Sequence, residues 1–249
     1  MNQSFSSLTL AQIVNNNHQA ASVFEKYHLD FCCKGKRSLE QACAEQQLPI
    51  AHVTEELESI FANNGKEQLT DFNKMGLTQL CDYILLTHHG YVKREMPQIY
   101  AYLDKVSSKH GERHPELYKI FRTFAAVKEE MEGHMGKEEL ILFPRIKEME
   151  KLPDNENSQL QLSISYLQSP ITMMEQEHDH AGDLLNDIRN FSNDYTPPQD
   201  ACTTYQLSFA ALKAFELDLH QHVHLENNIL FPKTIEMFSE LQVANAQIV

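Results

Sequence analysis

The sequence predicts an all-α fold, a four-helix bundle preceded by a small N-terminal helical domain. Three observations predict it. Glycine is scarce, 8 of 249 residues, and tryptophan is absent. Apolar residues recur at steps of three and four, and β-branched alternation is rare. One segment also occurs twice: HMGKEELILFP at 134–144 and HVHLENNILFP at 222–232.

Residues 1–66 read as the small domain. Leu8, Leu10, Ile13 and Val14, then Ala21, Val23, Phe24 and Tyr27, mark two short helices. A turn-like segment, Asp30 to Arg37, follows them. Ser38 with Gln41 forms a capping-box pattern for the next helix. Pro49 separates that helix from another over roughly 52–62, and Asn64-Gly65 signals a turn and the domain boundary.

Residues 76–240 read as the bundle. Its first helix is expected from about Leu77 to Val106, kinked at Pro97. Pro115 opens the second, which runs to about Glu150 with a bend at Pro144. Residues 151–163 form a loop. Ser169-Pro170 has the character of an N-cap and first-turn pair for the third helix, which ends before Pro197-Pro198. The fourth is expected over about 201–231, stopping near Pro232.

The repeat extends beyond the duplicated segment. Phe124, Val127, Met131, His134, Glu138 and Ile141 take steps of 3, 4, 3, 4 and 3. Leu212, Phe215, Leu219, His222, Glu226 and Ile229 take the same steps. Such spacing defines one inward stripe of a helix. Leu85, His89, Val92, Met96 and Ile99 likewise match Met174, His178, Ala181, Leu185 and Ile188. A lone histidine on an apolar stripe is ordinarily a satisfied core residue. Four histidines and two carboxylates repeating in register are not, because a buried carboxylate is costly unless paired or bound to metal.

The predicted metal ligands are therefore His89, His134, Glu138, His178, His222 and Glu226. Two ions would each take two histidines, with Glu138 and Glu226 bridging. Imidazole with carboxylate suits iron, although manganese or zinc share these ligand types. The set lacks the thiolates of most structural zinc sites. His110 continues the first stripe but lies about 30 Å along a helix from His89, so it is left out. His88, His114, His180, His220 and His224 fall off the stripes and are expected to be exposed. Glu130 and Asp218 lie one turn before His134 and His222, and Glu177 precedes His178. These carboxylates are candidate hydrogen-bond partners of the ligand histidines, and candidate catalytic groups that would help iron leave or protons move.

Composition excludes several classes. The formal net charge is −14, from 21 basic and 35 acidic residues, which argues against nucleic acid and anionic membrane surfaces. No stretch approaches the roughly 20 apolar residues of a membrane span. The N-terminus lacks the features of a signal peptide. Five cysteines, Cys32, Cys33, Cys43, Cys81 and Cys202, without a secretory signal read as reduced thiols. Adjacent Cys32 and Cys33 resist an unstrained disulfide. Flanking Lys34, Lys36 and Arg37 would favour the thiolate, so the pair is a candidate redox or metal-transfer site.

The segments YHLDFCCKGKRSL (27–39), HMGKEELILFP (134–144), EQEHDHAG (175–182), TPPQDACTTY (196–205) and HVHLENNILFP (222–232) resemble the di-iron repair-of-iron-centres family of bacteria. The resemblance covers nearly the whole chain. It implies a double-cysteine domain followed by a hemerythrin-like bundle, with Cys32 and Cys33 as the family cysteines. It places the six ligands on the di-iron positions, with two non-haem irons bridged by carboxylate and oxo groups. It implies repair of iron–sulfur clusters after nitrosative or oxidative stress, in the cytoplasm, by iron donation or by nitric oxide chemistry. Damaged iron–sulfur proteins, nitric oxide and dioxygen are the implied partners, and a homodimer is compatible with it.

Ordinary hemerythrins carry His-x3-His on the third helix. Here Gly182 follows His178 by four, so the site is expected to be more open or more symmetric, which weakens a pure oxygen-carrier reading. The alternative function is a hemerythrin-type sensor or carrier of oxygen or nitric oxide, and nitric oxide reductase turnover would make the chain an enzyme. A ferritin-type oxidase ranks low, because only Glu175-x-x-His178 fits its Glu-x-x-His motif.

Overall fold

A computed structural model describes residues 5–62, 70–151 and 166–246. Asn64-Gly65 and most of the 151–163 loop lie outside the described residues. The described chain is all-α, with one isolated β-bridge between Thr9 and Ser38. It divides into two compact units: residues 1–76 with 220–233, and residues 77–219 with 234–249. No described helix is long and apolar enough to cross a membrane.

In the first unit the helices are α1 (Leu10–Asn16), α2 (Ala21–Lys26), α3 (Leu39–Glu45) and α4 (Ile50–Ala62). Ser38 and Gln41 cap α3 reciprocally, as the sequence predicts. Thr9 and Gln12 make a second capping box on α1. Both boxes satisfy amide donors that a helix start leaves unpaired. Leu10, Ile13, Phe24, Leu39, Val53 and Leu57 are fully buried. Gly35 closes the turn before α3, where a Cβ would meet the Phe31 carbonyl at 2.3 Å.

The bundle helices are α5 (Leu77–Ile84), α6 (Gly90–His110), α7 (Glu116–Lys137), α8 (Phe143–Glu150), α9 (Gln168–Phe191), α10 (Thr203–Leu225) and α11 (Phe231–Ala246). Glu150 caps α5, its carboxylate accepting from the Leu77 and Thr78 amides at 2.6 and 2.7 Å. Phe124 and Phe215, both fully buried, meet edge to face at 5.6 Å. Toward one end of the bundle, Arg189 grips buried Glu216 through two bonds of 2.8 and 3.2 Å.

Several boundaries differ from those expected. Single π turns, Leu85–His89, Glu138–Leu142 and Glu226–Leu230, join α5 to α6, α7 to α8 and α10 to α11. A π turn accommodates an extra residue and rotates the chain beyond it. Thus Leu142, not Ile141, is buried after Glu138, and Ile141 is 45% exposed. Pro97 sits within α6, while the α-helical bonding changes at Leu85–His89. The fourth helix does not stop at Pro232. The chain continues as α11 through the π turn, with Pro232 at the second position of α11. Ser169 is not the cap of α9, which already begins at Gln168.

Candidate metal centre

Within 77–219, three helical segments bring four ligand candidates together. The π turn after α5 ends on His89, α7 carries His134, Glu138 opens the next π turn, and α9 carries His178. All four are buried, Glu138 completely. Ligand atoms of His134, Glu138 and His178 lie within 4.8 Å of one another. The Nε2 atoms of His89 and His134 each stand 3.3 Å from Glu138 Oε2. His134 and His178 face each other Nε2 to Nε2 at 3.0 Å.

Two carboxylates settle the tautomers of His89 and His134. His89 Nδ1 is 2.8 Å from Glu139, and His134 Nδ1 is 2.9 Å from Glu177. An ionised carboxylate only accepts, so Nδ1 donates in both rings. In the neutral imidazole, Nε2 then presents a lone pair toward Glu138. Acceptor facing acceptor in a buried site is repulsive, and a cation between them makes the same geometry favourable. The donor set thus fits a borderline transition-metal ion.

Lys93 bonds Glu139 at 2.7 Å through both oxygens, and Lys137 bonds Glu177. Burial works to raise these two carboxyls. The lysine and histidine bonds outweigh it and hold both below the ordinary carboxylate range. Glu139 was not singled out from the sequence. The available signal was a carboxylate beside the ligand Glu138, with Lys93 four residues after His89.

In the segment 220–233, His222 Nε2 and Glu226 Oε1 stand 3.0 Å apart, both fully buried. They repeat the i, i+4 relation of His134 and Glu138.

Other residues fall differently from the expectation. Glu130 pairs with His180 at 2.9 Å, an exposed contact, rather than with His134. Asp218 pairs with His88 at 3.1 Å. His88 is buried, not exposed, because the π turn rotates it inward. His224 is buried too, with Nε2 2.9 Å from Asn15 Oδ1. Burial lowers its pKa to about 4, so it is neutral.

The double-cysteine turn belongs to the first unit. Cys32 is buried and Cys33 half-buried, with their sulfurs 3.8 Å apart. Asp30 Oδ1 accepts from the Cys33 amide at 2.9 Å and from the Cys32 thiol at 3.3 Å. The Cys33 sulfur and burial push the Cys32 thiol well above the ordinary thiol range, so the flanking cations do not make it a thiolate. Asn228 holds the turn by donating to the Cys32 carbonyl at 2.9 Å.

A helical scaffold with buried histidines converging on a buried carboxylate defines a class of metal-binding bundle, and the comparisons agree. Residues 82–234 match the hemerythrin HHE cation binding domain. Residues 6–60 match ScdA_N, a domain of unknown function. The chain belongs to the hemerythrin HHE cation-binding family.

Among curated relatives, the iron-sulfur cluster repair protein YtfE of Escherichia coli O81 (strain ED1a) is 32% identical over 226 residues. The alignment covers 91% of this chain and 96% of that protein. YtfE of Shigella boydii serotype 4 gives the same identity and coverage. YtfE of Citrobacter koseri is 32% identical over 232 residues, covering 93% of this chain and 98% of the relative.

Proposed function

We propose that this protein holds two iron ions through His89, His134, Glu138, His178, His222 and Glu226, and repairs iron–sulfur clusters damaged by nitrosative or oxidative stress. The observation that carries the reading is the buried set of His89, His134, Glu138 and His178, with Nδ1 of His89 and His134 anchored by carboxylates. His222 and Glu226 complete the set by repeat, since both pairs fall within the matched residues 82–234. Glu138 and Glu226 would supply carboxylate ligands to both ions. Relatives named for iron–sulfur cluster repair supply the process.

Bound iron would supply both a transferable metal and redox chemistry toward nitric oxide or dioxygen. The chain's own residues tune its retention. Glu139 and Glu177 orient the ligand rings, and protonating or removing either would loosen one of them. Cys32 and Cys33 offer thiols to receive what the centre releases. The clients are damaged iron–sulfur proteins in the cytoplasm, and the protein acts as a monomer or homodimer.

The test is metal content per chain after anaerobic purification, with the absorption spectrum in air and repair of a nitric-oxide-damaged iron–sulfur enzyme. Two irons per chain, an oxo-bridged diferric spectrum and repair that His134→Ala abolishes are expected. Zinc, one metal or none, or repair unaffected by His134→Ala, would overturn the reading. A carrier or sensor of oxygen or nitric oxide, the second reading, would bind ligand reversibly and end the assay with its iron retained.

A further inference from the structure

We infer that Asp30, Cys32 and Cys33 form a second metal site, distinct from the histidine–carboxylate set, for a borderline divalent ion such as iron(II) or zinc(II). Its use as an iron acceptor rests on the repair function proposed above; the binding itself rests on geometry.

The three donors lie within 4.8 Å of one another. A tetrahedral ion with metal–sulfur bonds of about 2.3 Å and metal–oxygen bonds of about 2.0–2.2 Å requires a sulfur–sulfur edge of roughly 3.8 Å and a sulfur–oxygen edge of roughly 3.5 Å. The observed separations are 3.8 Å between Cys32 Sγ and Cys33 Sγ and 3.3 Å between Cys32 Sγ and Asp30 Oδ1. Two of the three donor–donor separations therefore already match the edges of one coordination tetrahedron, and the third lies within 4.8 Å.

The turn is held in that shape by bonds that do not involve the sulfurs. The Cys33 and Lys34 amides donate to Asp30 Oδ1 at 2.9 and 3.3 Å. Arg37 donates to the Lys34 and Asp30 carbonyls at 3.2 and 3.4 Å. Asn227 and Asn228 donate to the Cys32 carbonyl at 3.4 and 2.9 Å. Pre-organised donors reduce the ordering cost of binding.

The balance is simple. The ion displaces one proton from each thiol, two bonds to sulfur and one to a carboxylate oxygen form, and no electron moves. Two protons leave to solvent. Two thiolates and one carboxylate leave the complex with a charge of −1, beside Lys34, Lys36 and Arg37. Among the described residues, no fourth histidine, cysteine or carboxylate joins the group. Three protein donors and an open position suit an ion passed onward, whereas a structural zinc site closes all four.

The experiment titrates cobalt(II), as a spectroscopic substitute, into the reduced full-length protein without oxygen. A sulfur-to-cobalt charge-transfer band in the near ultraviolet is expected, which histidine and carboxylate ligands do not produce. Cys33→Ser should abolish the band, and Asp30→Asn should weaken binding by about tenfold or more. His134→Ala should leave the band in place even where it empties the bundle, so the two sites fail independently. Visible cobalt absorption from the bundle, retained in the turn variants, shows that they fold. Absence of the band in wild type, or its persistence in Cys32→Ser/Cys33→Ser, overturns the site. Asp30→Asn that binds as tightly as wild type overturns its carboxylate as a ligand.

Discussion

His134 Nδ1 lies 2.9 Å from Glu177 Oε2, so the ring donates outward and turns its Nε2 toward buried Glu138. A carboxylate in that place fixes both the tautomer and the angle of a ligand histidine, at no cost to its charge-neutral, metal-binding form.

Glu177→Gln is therefore expected to weaken metal binding by about 10–100-fold. Glu130→Gln should leave it near wild type, because Glu130 pairs with the exposed ring of His180. Chelator competition on the two variants, side by side, checks the distinction. Equal losses would show that proximity in sequence mattered more than the observed bond.

Arg189 and Glu216 form a two-bond ion pair in which Glu216 is only 3% exposed. Removing one partner leaves an uncompensated buried charge. Arg189→Ala, which strips buried Glu216 of this partner, should cost about 3–5 kcal/mol in denaturant unfolding of the metal-free protein. Replacing both residues by apolar ones of similar volume should cost less.

Tyr205 and Tyr195 are both buried, and burial is the chief force raising their phenols above the ordinary range. An acid whose folded pKa exceeds its unfolded value binds more protons when folded. Its stabilising contribution is complete below the ordinary tyrosine pKa of about 10 and is lost as pH rises beyond it. Alkaline unfolding should begin there, and Tyr205→Phe should flatten that limb. Ultraviolet titration should show these two of the nine tyrosines ionising only as the chain unfolds.

Gly35→Ala should destabilise the first unit, because the added Cβ would meet the Phe31 carbonyl at 2.3 Å and Ala11 Cβ at 3.0 Å. Overpacking of this kind costs about 1–3 kcal/mol. The neighbouring Cys33 thiol should become more reactive toward a thiol reagent as the turn opens, while metal loading at the histidine set stays unchanged.

Much of the site was legible because helices convert spacing into direction. His134 with Glu138 and His222 with Glu226 share faces by an i, i+4 rule that needs no knowledge of neighbours. Glu139 was not legible. Its bond to His89 joins two helices fifty residues apart, and only their packing brings the two together. Glu130 was misplaced for the opposite reason. A sequence offset of four suggested His134, while the opposite helix offered His180 nearer its side chain. Ile141 showed the limit of periodicity, since one π turn moved the buried position to Leu142.

The sequence by itself determined the all-α class, the duplicated bundle, the six inward ligand candidates and the adjacent thiols. Local spacing, capping residues and the cost of burying lone carboxylates suffice for these. Only the tertiary structure decided the three π turns, the carboxylates that orient His89 and His134, the burial of His88 and His224, and the approach of Asp30 to both cysteines. Each of these depends on which segment packs against which, and a helical period carries no information about the partner across the contact.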